Sequence, residues 1–322
     1  TRLKTESINH SPFLMAHVYS PAMRAMRQLM FLAVLLASVF SVRAGEAVTT
    51  NTGPVYIIPI VDVIDDALVY VIRRGLAEAE RQDAAAVVLV MDTPGGTLAA
   101  ASDIVRAIQA AHRPVHTFVE KDAFSAGAII ALATRKIFMA PGAVIGDALP
   151  IMMSPIGGVQ EMSEGLEEKA VSAVAALVRS AAQTAGHDPE LAEKMVRREL
   201  EYKIGDDVIS PAGHLLTLTA EEALQLGQDG QPLLSAGTAP DLTAVLEQLS
   251  LAGQPLVEMK ITSTEKLARL IAGAAPILMI IGFLGIYIEL KTPGFGLPGI
   301  LGAACLALFF WGHHIAGLAG ME

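Results

Sequence analysis

Apolar residues between positions 55 and 139 fall into short blocks divided by turn residues. Val55-Tyr56-Ile57-Ile58-Pro59-Ile60 and Ala85 to Met91 are almost unbroken apolar runs, as expected of strands covered on both faces. Val115 to Val119 and Lys136 to Met139 predict two more strands. Between these blocks the period changes. From Ala67 to Arg81, the residues Leu68, Val71, Ile72, Leu76 and Ala79 recur at three- and four-residue intervals, which predicts a helix. Leu98 to Ala111 and Ser125 to Thr134 predict two further helices. Alternation of strand and helix implies parallel pairing with right-handed crossovers. Beyond this, Glu167 to Glu201 is expected to be largely helical, and Glu221 to Leu226 a short helix ending at Gly227. Residues 228–260 read as a connector or small cap. No internal repeat is visible.

The two ends carry a different pattern. Arg24 and Arg27 precede the apolar run Leu29 to Phe40, and Ser41-Val42-Arg43-Ala44 places small residues at the −3 and −1 positions of a cleavage site. The run is about a dozen residues, against roughly 20 for a membrane span, so a cleaved export signal is expected, with an uncleaved anchor as the alternative. Met23 or Met26 is the expected start, with residues 1–22 an extension. Near the other end, Ile271 to Leu290 and Leu297 to Leu318 are each long enough to cross a bilayer. They flank the turn Lys291-Thr292-Pro293-Gly294-Phe295-Gly296, and together they predict a transmembrane hairpin. Trp311 suits an interfacial position. The expected organisation is an extension plus signal peptide over 1–44, an α/β domain over 45–265, and a membrane domain with two transmembrane helices over 266–322. Export places the α/β domain on the extracytoplasmic, periplasmic side, although Lys266 and Arg269 on that side run against the positive-inside rule.

Composition agrees with a chain partly in lipid: hydrophobic residues make up 52% and charged residues 17% of the 322 residues. Ordinary soluble domains carry roughly 25% charge. With 23 Lys and Arg against 33 Asp and Glu, the net charge is −10, which argues against a nucleic-acid partner. The single cysteine, Cys305, excludes an intramolecular disulfide framework and a cysteine-based zinc site. The histidines are too scattered to suggest a metal site, and no cofactor is expected.

Candidate chemistry lies in loops after the carboxyl ends of predicted strands, where parallel α/β sheets place their sites. In Asp92-Thr93-Pro94-Gly95-Gly96, adjacent glycines leave backbone N–H groups open to a developing oxyanion. A plain strand-to-helix turn would look the same. In Phe124-Ser125-Ala126-Gly127-Ala128, Ser125 stands at a helix start, with the N–H of Ala126 as a second oxyanion donor. Its alternative role is an ordinary helix N-cap. Lys169 follows on a helix with Leu166, Ala170, Val171, Ala173 and Val174 around it. A lysine activates a serine only when neutral, a form that burial favours. A solvated surface lysine beside Glu167 and Glu168 is the alternative. Met152, Met153 and Ile156 suit either a greasy substrate groove or core packing.

Together, Asp92 to Gly96, Phe124 to Ala128, the helix from Glu168 to Ala185, His214 to Gly227 and Thr292 to Ala303 resemble the membrane-bound ClpP-class serine proteases of the NfeD type. The resemblance covers residues 54 to 318 and keeps the family's order. It implies a ClpP/crotonase-like fold and a Ser–Lys dyad endopeptidase. By position, Ser125 corresponds to the nucleophile, Lys169 to the general base, and Gly96 and Ala126 to the oxyanion-hole donors. Lys121 and Lys136 are weaker matches to the base, because they flank the nucleophile loop and the next strand. The family implies hydrophobic segments of stomatin-like membrane proteins as substrate or partner, contact with membrane lipid, and a homo-oligomer. Its longer members continue into further membrane helices and a small OB-type β-barrel, so the membrane domain is expected to be truncated here. A non-catalytic scaffold binding a stomatin-like partner and a crotonase-type acyl-CoA enzyme are the competing functions. Export argues against the latter.

Overall fold

The computed structural model describes residues 52–154, 158–227, 230–260, 263–291 and 296–318, without the side chains of 263–269, 272 and 313–318. The predicted signal segment, Ile156, most of the hairpin turn, and the side chains of Lys266 and Arg269 lie outside the described residues.

The core is the predicted α/β domain. Strands β1 (Val55–Val61), β2 (Ala86–Thr93) and β3 (Val115–Phe124) alternate with helices α1 (Asp66–Arg81) and α2 (Leu98–Ala110). β1 pairs with β2 and β2 with β3, all parallel. Ile58, Ile60, Leu89, Met91 and Phe118 are fully or almost fully buried in this sheet, consistent with their apolar runs. Both helices start on side-chain caps. The Asp65 carboxylate accepts from the Leu68 N–H and the Thr97 hydroxyl from the Ala100 N–H. Pro59 is tolerated inside β1 because of register. Val55 N–H and Ile57 C=O bond to the neighbouring strand on one side, while Pro59 faces that side beyond the last paired residue. Its missing N–H therefore breaks no ladder bond.

β3 runs five residues further than the apolar pattern predicts, through Glu120-Lys121-Asp122 to Phe124. Its first half pairs with β4 (Ile137–Met139) and its second half with β5 (Val144–Gly146). The polar stretch is thus held by a short strand that no periodicity announces. Helix α3 (Ala126–Ala131) follows β3 directly and is shorter than predicted. Strands β6 (Met152–Met153) and β7 (Val159–Gln160) form a small hairpin before the long helix α4 (Glu164–Ala185). The long helix expected to reach Glu201 is interrupted: Gly186 takes a left-handed φ of 90° and ends α4. Asp188 caps the separate α5 (Pro189–Lys194), and the β8 (Tyr202–Ile204) and β9 (Asp207–Ser210) hairpin comes next.

The segment 228–260 is not a mere connector. After β10 (Thr217–Thr219), which pairs antiparallel with β5, and α6 (Ala220–Ala223), the chain adds β11 (Ser235–Thr238) beside β4. It then forms α7 (Leu242–Gln248) and returns as β12 (Leu256–Glu258) beside β1. Each of these late strands has three or four residues, too few for an alternating pattern to register.

Two apolar helices follow, α8 (Ser263–Lys291) and α9 (Leu297–Leu318). Within α8, Gly273–Lys291 is long and apolar enough to cross a membrane. The two helices approach at glycines. A Cβ on Gly285 would lie 2.5 Å from the Pro298 carbonyl oxygen, and one on Gly302 would lie 2.7 Å from that of Gly282. The Glu289 carboxylate accepts the N–H groups of Gly296 and Gly299 and so caps the start of α9. Ile280, Phe283, Leu297 and Ile300 are exposed, an apolar surface suited to lipid rather than water.

Candidate active site

Ser125 occupies the abrupt turn between β3 and α3, with φ 52° and ψ −117°. A positive φ is costly for a residue with a Cβ, of order 1–3 kcal/mol, and persists only where surrounding contacts impose it. Those contacts are identifiable. The Ser125 N–H donates to the Gly146 carbonyl of β5, and its own carbonyl accepts from Ile129 in α3. The serine hydroxyl makes no capping bond to the helix, so the ordinary N-cap role does not account for it. Ala126 opens α3, and its N–H is among the first-turn donors that have no intrahelical acceptor.

The glycine loop lies directly against this turn. Gly95 is buried with φ +108°, and a Cβ added there would stand 2.6 Å from the Ser125 Cβ and 3.2 Å from its Oγ. Gly96 packs on the segment after β1, where a Cβ would collide with the Ile64 carbonyl. Ile64 bridges to this loop by donating to the Gly95 carbonyl and accepting from the Thr97 N–H, both at 2.9 Å. The Gly95 N–H is taken by the Thr93 hydroxyl at 3.1 Å. That leaves the N–H of Gly96, an exposed residue, donating to no other group among the described residues. Ser125, Gly96 and Ala126 are therefore assembled at one end of the parallel sheet. Such a cluster of one hydroxyl and two uncommitted N–H groups suits attack on a carbonyl with stabilisation of the resulting oxyanion.

Lys169 is not joined to this cluster. It is exposed in the second turn of α4. The buried face of α4 carries Val171, Val174, Ala175 and Val178. At 3.6 residues per turn, Val178 is half a revolution from Lys169, so the lysine faces away from the packed side. No hydrogen bond or ion pair ties it to a neighbour among the described residues. Its neighbours Glu167 and Glu168 do have partners, pairing with Arg198 and Arg197.

The other lysines are less suited to act as a base. Lys121 is bound to Asp92 at 2.6 Å, and this hydrogen bond and charge raise its pKa, holding it protonated. Lys136 stands just before β4, whereas Ser125 follows the carboxyl end of β3, so the two belong to opposite ends of the parallel pair. Lys194 carries no signal in the sequence. It is buried, and its ammonium donates to the carbonyls of Arg198, Leu200, Pro211 and His214. Burial lowers its pKa while Glu199 and Glu201 oppose the shift. Its carbonyl cage makes it a clasp for the 198–214 segment. No pattern points to it, because the carbonyls belong to residues without distinguishing side chains. Among histidines, His116 is buried in β3 and His187 bonds the Thr134 carbonyl. Met153 is exposed on β6 and Met152 half-buried, so neither is a core residue.

An α/β domain with a parallel sheet, followed by a pair of apolar helices, defines a membrane-associated α/β protein. The chain belongs to the NfeD family: residues 54–259 match the family model described as NfeD1b, N-terminal domain, and residues 273–322 match the NfeD integral membrane domain. It is 35% identical to "Membrane protein NfeD1b" of Bacillus subtilis (strain 168) over 293 residues, covering 90% of this chain and 63% of that protein. It is 28% identical to "Membrane-bound protease PH1510" of Pyrococcus horikoshii over 266 residues, covering 76% of this chain and 56% of that protein. The chain thus spans less than two thirds of either relative. Among solved structures, it resembles a serine-to-alanine mutant of the 1510-N membrane-bound stomatin-specific protease, with TM-score 0.53, 26% identity, and coverage of 66% of this chain and 99% of that one. It also resembles a lysine-to-alanine mutant of that protease in complex with a substrate peptide, with TM-score 0.54, 26% identity, and coverage of 69% and 99%. The mixed α/β domain with its parallel sheet therefore has the fold of that protease.

Proposed function

We propose that this chain is a membrane-anchored serine endopeptidase that cleaves hydrophobic segments of membrane-associated, stomatin-like proteins. The observation that carries this reading is the packing of the Gly95–Gly96 loop against the strained turn of Ser125. Ser125 is the nucleophile and Lys169 the general base, with the N–H groups of Gly96 and Ala126 as the oxyanion hole. Neutral Lys169 takes the proton as Ser125 Oγ bonds to the peptide carbonyl carbon. The two N–H groups hold the tetrahedral oxyanion. Lys169 then protonates the leaving amine, and water attacks the acyl-enzyme to release the second product and restore the serine. The dyad requires the first turns of α4 to move until Lys169 reaches the β3–α3 turn. The lysine side chain has no partner among the described residues, while Glu167 and Glu168 of the same turns pair with Arg198 and Arg197.

An apolar substrate is supported by Val61, Val63 and Leu98, which are exposed beside the β1 end and the glycine loop, and by exposed Ile151, Met153 and Val159 near the β6–β7 hairpin. The similar protease is described as stomatin-specific, and the structure of its lysine-to-alanine mutant holds a substrate peptide, which supports the substrate class. In this reading the signal peptide within residues 1–44 directs export, the α/β domain lies on the extracytoplasmic side, the hairpin anchors it in lipid, and the chain assembles as a homo-oligomer. The exposure of Lys169 favours a second reading, a non-catalytic scaffold that binds a stomatin-like partner. The test is cleavage of apolar peptides from the C-terminal region of a stomatin-like protein by the full chain in detergent. Activity lost in both Ser125→Ala and Lys169→Ala supports the dyad. Tight peptide binding without cleavage supports the scaffold.

A further inference from the structure

Thr93 ends β2 and is fully buried, yet its side chain carries a polar group. Its hydroxyl donates to the Asp62 carbonyl at 2.5 Å and accepts the Gly95 N–H at 3.1 Å. Its methyl group packs on Gly127, where an added Cβ would lie only 2.7 Å from Thr93 Cγ2. One side chain thus touches the turn after β1, the glycine loop, and the first turn of the helix that begins after Ser125. None of these contacts is needed to keep β2 in the sheet, because its ladder to β1 and β3 is made by backbone groups.

The consequence concerns the two candidate oxyanion donors. By occupying the Gly95 N–H, the Thr93 hydroxyl fixes the orientation of the loop. Meanwhile Ile64 takes the Gly95 carbonyl and the Thr97 N–H. The Gly96 N–H is the donor that remains. By bearing on Gly127, the Thr93 methyl sets how closely α3, which carries the Ala126 N–H, approaches that loop. We propose that Thr93 is a positioning residue that sets the spacing and direction of the Gly96 and Ala126 donors at Ser125. This rests on the serine-protease reading above. Thr93 does not touch the reacting atoms. It acts through the backbone that does, where small misplacements of a donor carry large rate penalties.

Two substitutions separate its hydroxyl from its methyl. Thr93→Val keeps the shape and removes the hydroxyl, leaving the Asp62 carbonyl and Gly95 N–H without this partner. Thr93→Ser keeps the hydroxyl. Full chain in detergent is assayed for peptide cleavage, for the rate of covalent labelling by a fluorophosphonate, and for thermal melting. The expected result is a fall in kcat of about 10- to 100-fold for Thr93→Val, with KM changed less than about threefold and a matching fall in labelling rate, and a smaller fall of about 3- to 10-fold for Thr93→Ser, which keeps the hydroxyl bonds and loses the methyl contact with Gly127. Labelling of Ser125 in the wild type is the control. If wild type neither cleaves nor labels, the protease reading fails and this proposal with it. If wild type labels at Ser125 and Thr93→Val labels and cleaves equally fast, this proposal alone is overturned. It is also overturned if activity falls only in proportion to folded protein, or if Thr93→Ser is as slow as Thr93→Val while melting like wild type.

Discussion

Gly95 and Ser125 are in contact so close that no side chain fits between them: a Cβ on Gly95 would reach 2.6 Å from the serine Cβ. The position is also left-handed, at φ +108°. Gly95→Ala therefore faces both a conformational penalty and a clash with a backbone-anchored neighbour. The expected outcome is a loss of cleavage of at least ~100-fold, with destabilisation of about 1–3 kcal/mol. Denaturant melts and initial rates on the same preparation check this. Wild-type rates in Gly95→Ala would mean that the loop is remote from the chemistry.

Lys121 and Lys169 are expected to behave differently on substitution. Lys121 is paired with Asp92, which favours its charged form. Lys121→Met should keep kcat within about threefold of wild type, whereas Lys169→Met should lower it by ~10⁴-fold, as expected when a general base is removed. Peptide cleavage rates across the two variants decide. The reverse order would assign the base to Lys121.

Lys194 predicts a stability effect without a catalytic one. Replacing it by Met removes the donor shared by the carbonyls of Arg198, Leu200, Pro211 and His214. Hydrogen bonds involving a charged group contribute roughly 1.5–3 kcal/mol each at most, and their partial replacement by water brings the expected loss to about 2–4 kcal/mol. Chemical denaturation of the two proteins tests this, and equal midpoints would show that the cage is dispensable.

His116 gives the domain a defined acid sensitivity. Burial, and then the charges of Lys136 and Arg135, lower its pKa from 6.5 to about 4. Its Nδ1 is buried without a hydrogen-bond partner. Between these two values the unfolded chain binds the proton and the folded chain does not, so stability falls as pH drops from about 6.5 to about 4. The full contribution is of the order of 3 kcal/mol at most. Melting temperatures of wild type and His116→Phe from pH 4 to 7 check it. The variant should lose less stability on acidification. Parallel curves would mean that His116 is protonated in both states or in neither.

The parts visible in the sequence are those set by local chemistry. Ser125 and the pair Gly95–Gly96 stand out because a serine at a predicted helix start and two adjacent glycines lie in loops that follow predicted strands. The central strands are equally plain, since burial on both faces demands unbroken apolar runs such as Val87 to Met91. The less legible parts depend on contacts distant in sequence. Thr93 owes its role to Asp62, 31 residues away, and to the absence of a side chain at Gly127. β5, β10 and β12 have three residues each, and only their neighbours make them strands. Lys169 is the converse case. Ala170 and Val171 beside it suggest an apolar setting, but helical geometry turns Val171 inward and the lysine outward.

Whether Ser125 is an activated nucleophile is decided by site-resolved labelling of the full chain with a fluorophosphonate, read by peptide mass spectrometry. An activated serine displaces fluoride from phosphorus, while an ordinary serine does not react. The expected result is a single adduct on Ser125, absent in Ser125→Ala and slowed by several orders of magnitude in Lys169→Ala. Labelling of Ser125 that is unaffected by Lys169→Ala would remove the lysine from the mechanism. An unlabelled Ser125 in folded, peptide-binding protein would contradict the protease mechanism and favour the scaffold.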